Sequence, residues 1–179
     1  MEYNEGYFRR KANVEAYGIW TVLCLILGIA YFMEVVKGLR TPGYYAVFSL
    51  FCWVPLAGGF VIAKLKGWES WILKHILVFG FGVMYAYAMW TTQNILTFVY
   101  VLPLSSMLIL YKDRKLILRV GIFNMLVLFV YIAKSWLGGM RQGSDLTSFE
   151  IQVAAILMCY VGYVLSINYL NKSDGAMLH

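Results

Sequence analysis

Six apolar stretches, each close to the roughly twenty residues that carry a helix across a bilayer, are separated by short polar breaks. They predict spans over 14–36, 44–63, 72–90, 95–111, 116–137 and 149–170. The breaks are of the kinds that stop helices. Lys37, Gly38, Arg40, Thr41, Pro42 and Gly43 end the first span, and Lys64, Lys66, Gly67 and Glu69 separate the second from the third. Thr91, Thr92, Gln93 and Asn94 make a short turn. Lys112, Asp113, Arg114 and Lys115 precede the fifth span, and the longest connection, 138–148, precedes the sixth. Pro55 lies inside the second stretch, where its missing N–H predicts a kink.

Composition agrees with this reading. The chain has 179 residues, is 61% hydrophobic and 13% charged, and has a mean hydropathy of +0.70. Soluble domains run at about 45–50% apolar and about 25% charged. Six spans leave little chain for a soluble domain of ordinary size. The expected fold is therefore all-α, a polytopic six-transmembrane-helix bundle of the cell membrane. Residues 1–13 form a cytoplasmic tail, 14–171 the helical domain, and 172–179 a second cytoplasmic tail.

The fifteen Lys and Arg against nine Asp and Glu are read as the basic loops that orient membrane helices rather than as a nucleic-acid surface, and no nucleic-acid partner is expected. Eleven basic residues fall on one side of the expected bundle: Arg9, Arg10, Lys11, Lys64, Lys66, Lys74, Lys112, Arg114, Lys115, Arg119 and Lys172. Four fall on the other, namely Lys37, Arg40, Lys134 and Arg141. That asymmetry places both termini in the cytoplasm and agrees with an even number of spans.

Candidate chemistry is sparse. No phosphate-binding glycine loop, HExxH pair or GxSxG elbow is present, and the histidines are only His75 and His179, so an enzyme is not expected. Cys24, Cys52 and Cys159 each sit alone in an apolar stretch, with neither zinc nor disulfide spacing, and read as packing residues. No metal or other cofactor is expected.

Ionisable residues near membrane depth carry more information, because burying them is costly. Glu34 interrupts the first apolar run, and Glu150 opens the sixth span on the same side. With Arg40, Arg141 and Asp145 they form either an outer charged rim that recognises a small polar ligand or ordinary interfacial charges. Aromatic residues gather towards the same side: Tyr31, Tyr44, Tyr45, Trp53, Tyr85, Tyr87, Trp90 and Tyr100. Interfacial belts explain most of them. Trp53, roughly 14 Å along the second span and two residues before Pro55, is the exception. The candidate ligand site is thus Trp53, Tyr85, Trp90 and Tyr100, with Glu34 and Glu150 at its mouth. Gly162 and Ser166, four residues apart in the sixth span, could equally pack within one subunit or between two.

Several segments carry a family texture. They are Arg10-Lys11-Ala12-Asn13-Val14-Glu15, Glu34-Val35-Val36-Lys37-Gly38-Leu39-Arg40-Thr41, and Phe98-Val99-Tyr100-Val101-Leu102-Pro103-Leu104. Further ones are Ser106-Met107-Leu108-Ile109-Leu110-Tyr111-Lys112, Leu165-Ser166-Ile167-Asn168-Tyr169-Leu170 and Ser173-Asp174-Gly175-Ala176-Met177-Leu178. Together they resemble the N-terminal membrane region of methyl-accepting chemotaxis protein-like receptors from Gram-positive anaerobes. The resemblance implies a sensory input module that signals through its last span. In that family the last span continues into a cytoplasmic coiled-coil hairpin, which reaches a histidine kinase through an adaptor. The hairpin is missing from these residues, so the chain is expected to be a truncated input region. The expected partners are the lipid bilayer, a second copy in a homodimer and an unknown small ligand. The rival reading is a small transporter or channel, with Glu34, Arg119, Asn124 and Glu150 as pathway residues.

Overall fold

The computed structural model describes residues 5–92, 94–139 and 143–177. Among these the chain is helical, with no strand. Its elements are α1 (Glu5–Val36), α2 (Pro42–Lys66), α3 (Ile72–Thr91), α4 (Val101–Met107), α5 (Arg114–Leu137) and α6 (Gly143–Met177). Two 3-10 segments, Ile95–Tyr100 and Leu108–Tyr111, flank α4. Five helices, α1, α2, α3, α5 and α6, are long and apolar enough to cross a membrane. Arg141 and Gln93, placed in outer connections by the sequence, and the terminal His179 lie outside the described residues.

The helix ends follow from local chemistry. Gly38 adopts φ +73°, Leu39 N donates to Glu34 O at 2.9 Å, and Gly38 N donates to Val35 O at 2.9 Å. This pair of bonds closes α1 with a left-handed glycine, the conformation a Cβ disfavours. Thr41 then caps α2, its Oγ1 accepting from Tyr44 N at 3.2 Å, with Pro42 in the first turn where an N–H is not needed. Asp113 caps α5 in the same way, accepting from Leu116 N at 3.0 Å.

Two helices begin well before the apolar stretches that announced them. α1 starts at Glu5 rather than near residue 14, and Glu5 pairs with Arg9 one turn on at 2.6 Å. α6 runs over 35 residues, where the apolar pattern alone covered 149–170. Polar residues at helical spacing continue a helix as readily as apolar ones, so hydropathy underestimates both lengths.

The expected fourth span takes a different form. Residues 95–111 make a 17-residue apolar segment in which only seven residues are α-helical. Pro103 has no N–H for the carbonyl of Val99, and that carbonyl and Phe98 O accept from Val101 N. The chain therefore tightens into 3-10 geometry ahead of the proline.

The chain divides into two compact units, residues 1–87 and 88–179. In the first, Tyr17, Trp20 and Cys24 of α1, Cys52 and Leu56 of α2, and Leu73, Leu77 and Met84 of α3 are all buried. Glycines set the closest approaches. Gly59 lies directly under the Tyr17 ring, and Gly80 faces Pro55 and the Trp20 indole, where a Cβ would stand 2.9 Å from Trp20 Cη2. The Pro55 ring is thus seated against α3. At the other end of this unit, Asn13 Nδ2 donates to Trp68 O (2.7 Å) and Ser70 O (3.2 Å), and Tyr17 OH donates to Leu73 O (3.0 Å). These bonds tie the α2–α3 connection to α1. In the second unit α5 and α6 run antiparallel, the Tyr131 ring meeting Phe149 edge-on (6.3 Å) and Gly121 lying under Tyr160.

Candidate functional site

The unit of residues 1–87 carries a charged aromatic rim at its α1–α2 connection. The turn at Gly38 reverses the chain within four residues and returns Arg40 to the end of α1. Arg40 Nε lies 3.4 Å from Glu34 Oε2, with side-chain exposures of 13% for Arg40 and 41% for Glu34. The guanidinium carbon also stands 4.4 Å from the centroid of the Tyr44 ring. Tyr44 stacks on Tyr87 of α3 (5.5 Å, 23°) and meets Tyr31 of α1 at 5.7 Å. Tyr31 rests on Phe48 at 4.2 Å, and Phe51 meets Tyr87 at 5.1 Å. All three helices of the unit thus contribute rings to one cluster, with one cation and one carboxylate above it.

The second unit carries a buried polar core. Asn124 Nδ2 of α5 donates to Tyr160 OH of α6 at 2.5 Å, and Tyr160 OH shares a further hydrogen bond with Ser105 Oγ of α4 at 2.7 Å. One turn along, Ser106 Oγ and Tyr163 OH are 3.0 Å apart. Farther along the helix, Asn171 Nδ2 donates to Lys112 O at 3.3 Å, and Lys112 pairs with Asp174. Polar contacts therefore follow α6 from Tyr160 to Asp174, all made with the 101–113 segment or α5. Toward the start of α6, Gln152 is 1% exposed, and its amide has no hydrogen-bond partner among the described residues.

The six residues singled out from the sequence divide equally between the units. Glu34, Trp53 and Tyr85 fall in the first. Glu34 is at the rim, whereas Trp53 projects outward from α2 with 38% of its surface exposed. Tyr85 is buried and stacks on Phe81 at 6.2 Å. Trp90, Tyr100 and Glu150 fall in the second unit. Trp90 is exposed, with the Lys134 ammonium 4.7 Å above its ring and bonded to its carbonyl. Tyr100 is half-buried in the first 3-10 segment, and Glu150 is exposed on α6.

The sequence reading named Arg40 and Tyr44 without joining them, and it overlooked Tyr160, Ser105 and Gln152. The signal for these was present. Asn124 and Gln152 interrupt apolar helices, and a buried amide needs a partner. Which hydroxyl answers Asn124 depends on helix rotation, which the sequence does not display.

Cys24 and Cys52 are buried as free thiols, Cys24 Sγ donating to Cys52 O at 3.8 Å. Among the described residues no group of three or more His, Cys, Asp or Glu gathers to hold a metal ion. No family model matches the chain, and no curated protein or solved structure is similar to it at a significant level.

Proposed function

We propose that the chain is the membrane-embedded input module of a chemoreceptor-like signalling protein. A stimulus received at the rim around Glu34 and Arg40 passes through α6 to a cytoplasmic region beyond these residues, and by that route to a chemotaxis adaptor and histidine kinase. The observation that carries this reading is the length and tethering of α6. Its 35 residues extend ~52 Å, against a hydrocarbon thickness of ~30 Å. The excess is shared by two polar ends, residues 143–148 and 171–177, and the second is held laterally by Asn171 and Asp174. A continuous helix crossing the bilayer and emerging with side-chain tethers can carry a displacement from one side to the other.

The same proposal takes six spans with both termini in the cytoplasm. Ten 3-10 residues at ~2.0 Å and seven α residues at ~1.5 Å give segment 95–111 a length of ~30 Å, enough to cross. The basic residues, eleven against four, set the direction. Output through a coiled coil requires a second helix, so the module works as a homodimer. Gly162 and Ser166 are exposed on α6, and no atom lies within 4 Å of where a Gly162 Cβ would be, which leaves that face open to a second copy.

The transporter reading draws on Gln152, a buried amide without a partner among the described residues. Against it, Asn124 is engaged by Tyr160, Glu34 by Arg40, and Arg119 and Glu150 are exposed. No catalytic role is proposed for any residue. The test is to place the chain ahead of a chemoreceptor signalling hairpin and measure kinase activity. Glu34→Gln and Tyr44→Leu should alter the output while membrane insertion stays normal. Output unaffected by either change, together with substrate uptake into liposomes, would overturn the sensory reading in favour of transport.

A further inference from the structure

The rim in the unit of residues 1–87 already holds a cation, and the cation belongs to the chain itself. Arg40 makes the two contacts by which proteins recognise organic ammonium and guanidinium groups. Its charge lies over an aromatic face, 4.4 Å from the Tyr44 centroid, and beside a carboxylate, 3.4 Å from Glu34 Oε2. The ring that receives it is fixed from two sides, by Tyr87 at 5.5 Å and Tyr31 at 5.7 Å. A preset aromatic face with an adjacent acid is a cation seat whatever fills it.

We propose that this rim is a binding seat for small organic cations, closed in this structure by Arg40 acting as a tethered occupant. The proposal rests on the reading of the rim as the point where a stimulus enters, and names the ligand class. Three features of the chain favour it. Arg40 sits in the connection between α1 and α2, flanked by the Gly38 turn and the Thr41 cap, so it can leave the seat without unwinding either helix. The tether is short, so Arg40 competes at a high effective concentration, and a free cation must bind the open arrangement better than the closed one to displace it. Glu34 keeps 41% of its side chain exposed, so an incoming cation meets the carboxylate first. A metal ion fits less well than an organic one, since hard cations need several oxygen ligands and, among the described residues, the contacts at Arg40 are one carboxylate and an aromatic face.

The test uses the full chain in lipid nanodiscs, with methylguanidinium and tetramethylammonium as probes and tert-butanol as the uncharged shape control. Binding is read from saturation transfer to the probe methyl protons. Arg40→Gln should bind both cations about tenfold more tightly than the unchanged chain, and Arg40→Lys, which keeps a tethered charge, should remain close to it. Adding Tyr44→Leu or Glu34→Gln to Arg40→Gln should remove the gain. Because Arg40→Gln could loosen the turn, Arg40→Ala is measured beside it and helix content is checked for each variant. Cation affinity equal to that of the unchanged chain in both Arg40→Gln and Arg40→Ala with helix content intact, or equal gains for tert-butanol, would overturn the seat. The sensory reading is separated by kinase output in the receptor fusion. Tighter cation binding with unchanged output would support the seat and remove the sensory reading. Altered output in Arg40→Gln without a gain in binding would overturn the seat and leave that reading standing.

Discussion

Asn124 of α5 donates its amide to the Tyr160 hydroxyl of α6 at 2.5 Å, thirty-six residues away, and Ser105 meets the same hydroxyl at 2.7 Å. One side chain of α6 thereby joins α4 and α5 where all three residues are buried. In an apolar interior, removing one partner leaves the others unsatisfied, so the arrangement is more costly to break than to replace.

Tyr160→Phe should therefore destabilise the protein more than the combined change Tyr160→Phe, Asn124→Leu, Ser105→Ala. The single change should cost about 1–3 kcal/mol, the upper range for an orphaned buried amide, whereas the triple change should recover part of it. Reversible unfolding in mixed micelles measures the difference. A triple variant that loses the sum of the single losses would show that the three groups act independently.

Gly80 and Gly162 should respond oppositely to alanine. A methyl at Gly80 would press on Pro55 and stand 2.9 Å from Trp20 Cη2, while one at Gly162 meets nothing within 4 Å. Gly80→Ala should lower stability by about 1–3 kcal/mol through overpacking, and in the dilute single copy Gly162→Ala should stay within about 0.5 kcal/mol. Thermal unfolding of the two variants side by side checks this. A larger Gly162 effect that grows with protein concentration would place that residue in the contact between copies.

The polar end of α6 should loosen when its two tethers are removed. Asn171→Ala deletes the bond to Lys112 O, and Asp174→Asn weakens the pair with Lys112. Both are near the surface, worth about 0.5–1 kcal/mol each, so the double variant should exchange amide hydrogens several-fold faster over residues 168–175. Exchange within α5 should remain as before. Uniform acceleration in both helices would mean that the tethers hold the whole unit rather than the helix end.

Topology is open to direct labelling. With both termini cytoplasmic, Lys37→Cys and Gly139→Cys should react with a membrane-impermeant maleimide on intact cells. Lys66→Cys and Arg114→Cys should react only after permeabilisation. The reverse pattern would invert the orientation, and external labelling at both Lys37 and Lys66 would remove α2 as a span.

Much of the helical layout was legible in the chain because its causes are local. Apolar runs, the Gly38 turn, the Thr41–Pro42 start and the Asp113 cap act within one or two turns, so the five long helices cover the stretches the pattern marked, with α1 and α6 running beyond them. Glu34 and Arg40 were legible as charges of one rim for the same reason, being six residues apart across one turn, and the structure pairs them.

The remainder was decided by tertiary structure. In a helix apolar on nearly every side, periodicity does not reveal which face meets a neighbour, since lipid and protein interior select the same residues. Helix rotation and height bring Tyr87 of α3 onto Tyr44 of α2, and Tyr160 onto Asn124 and Ser105. They also turn Trp53 outward and seat Pro55 against Gly80, so the midspan tryptophan beside a proline did not mark the buried site its sequence position implied. The positions of the helices along the chain follow from backbone chemistry that each segment satisfies by itself. The identity of the residues that meet follows from packing between segments, which no segment encodes alone.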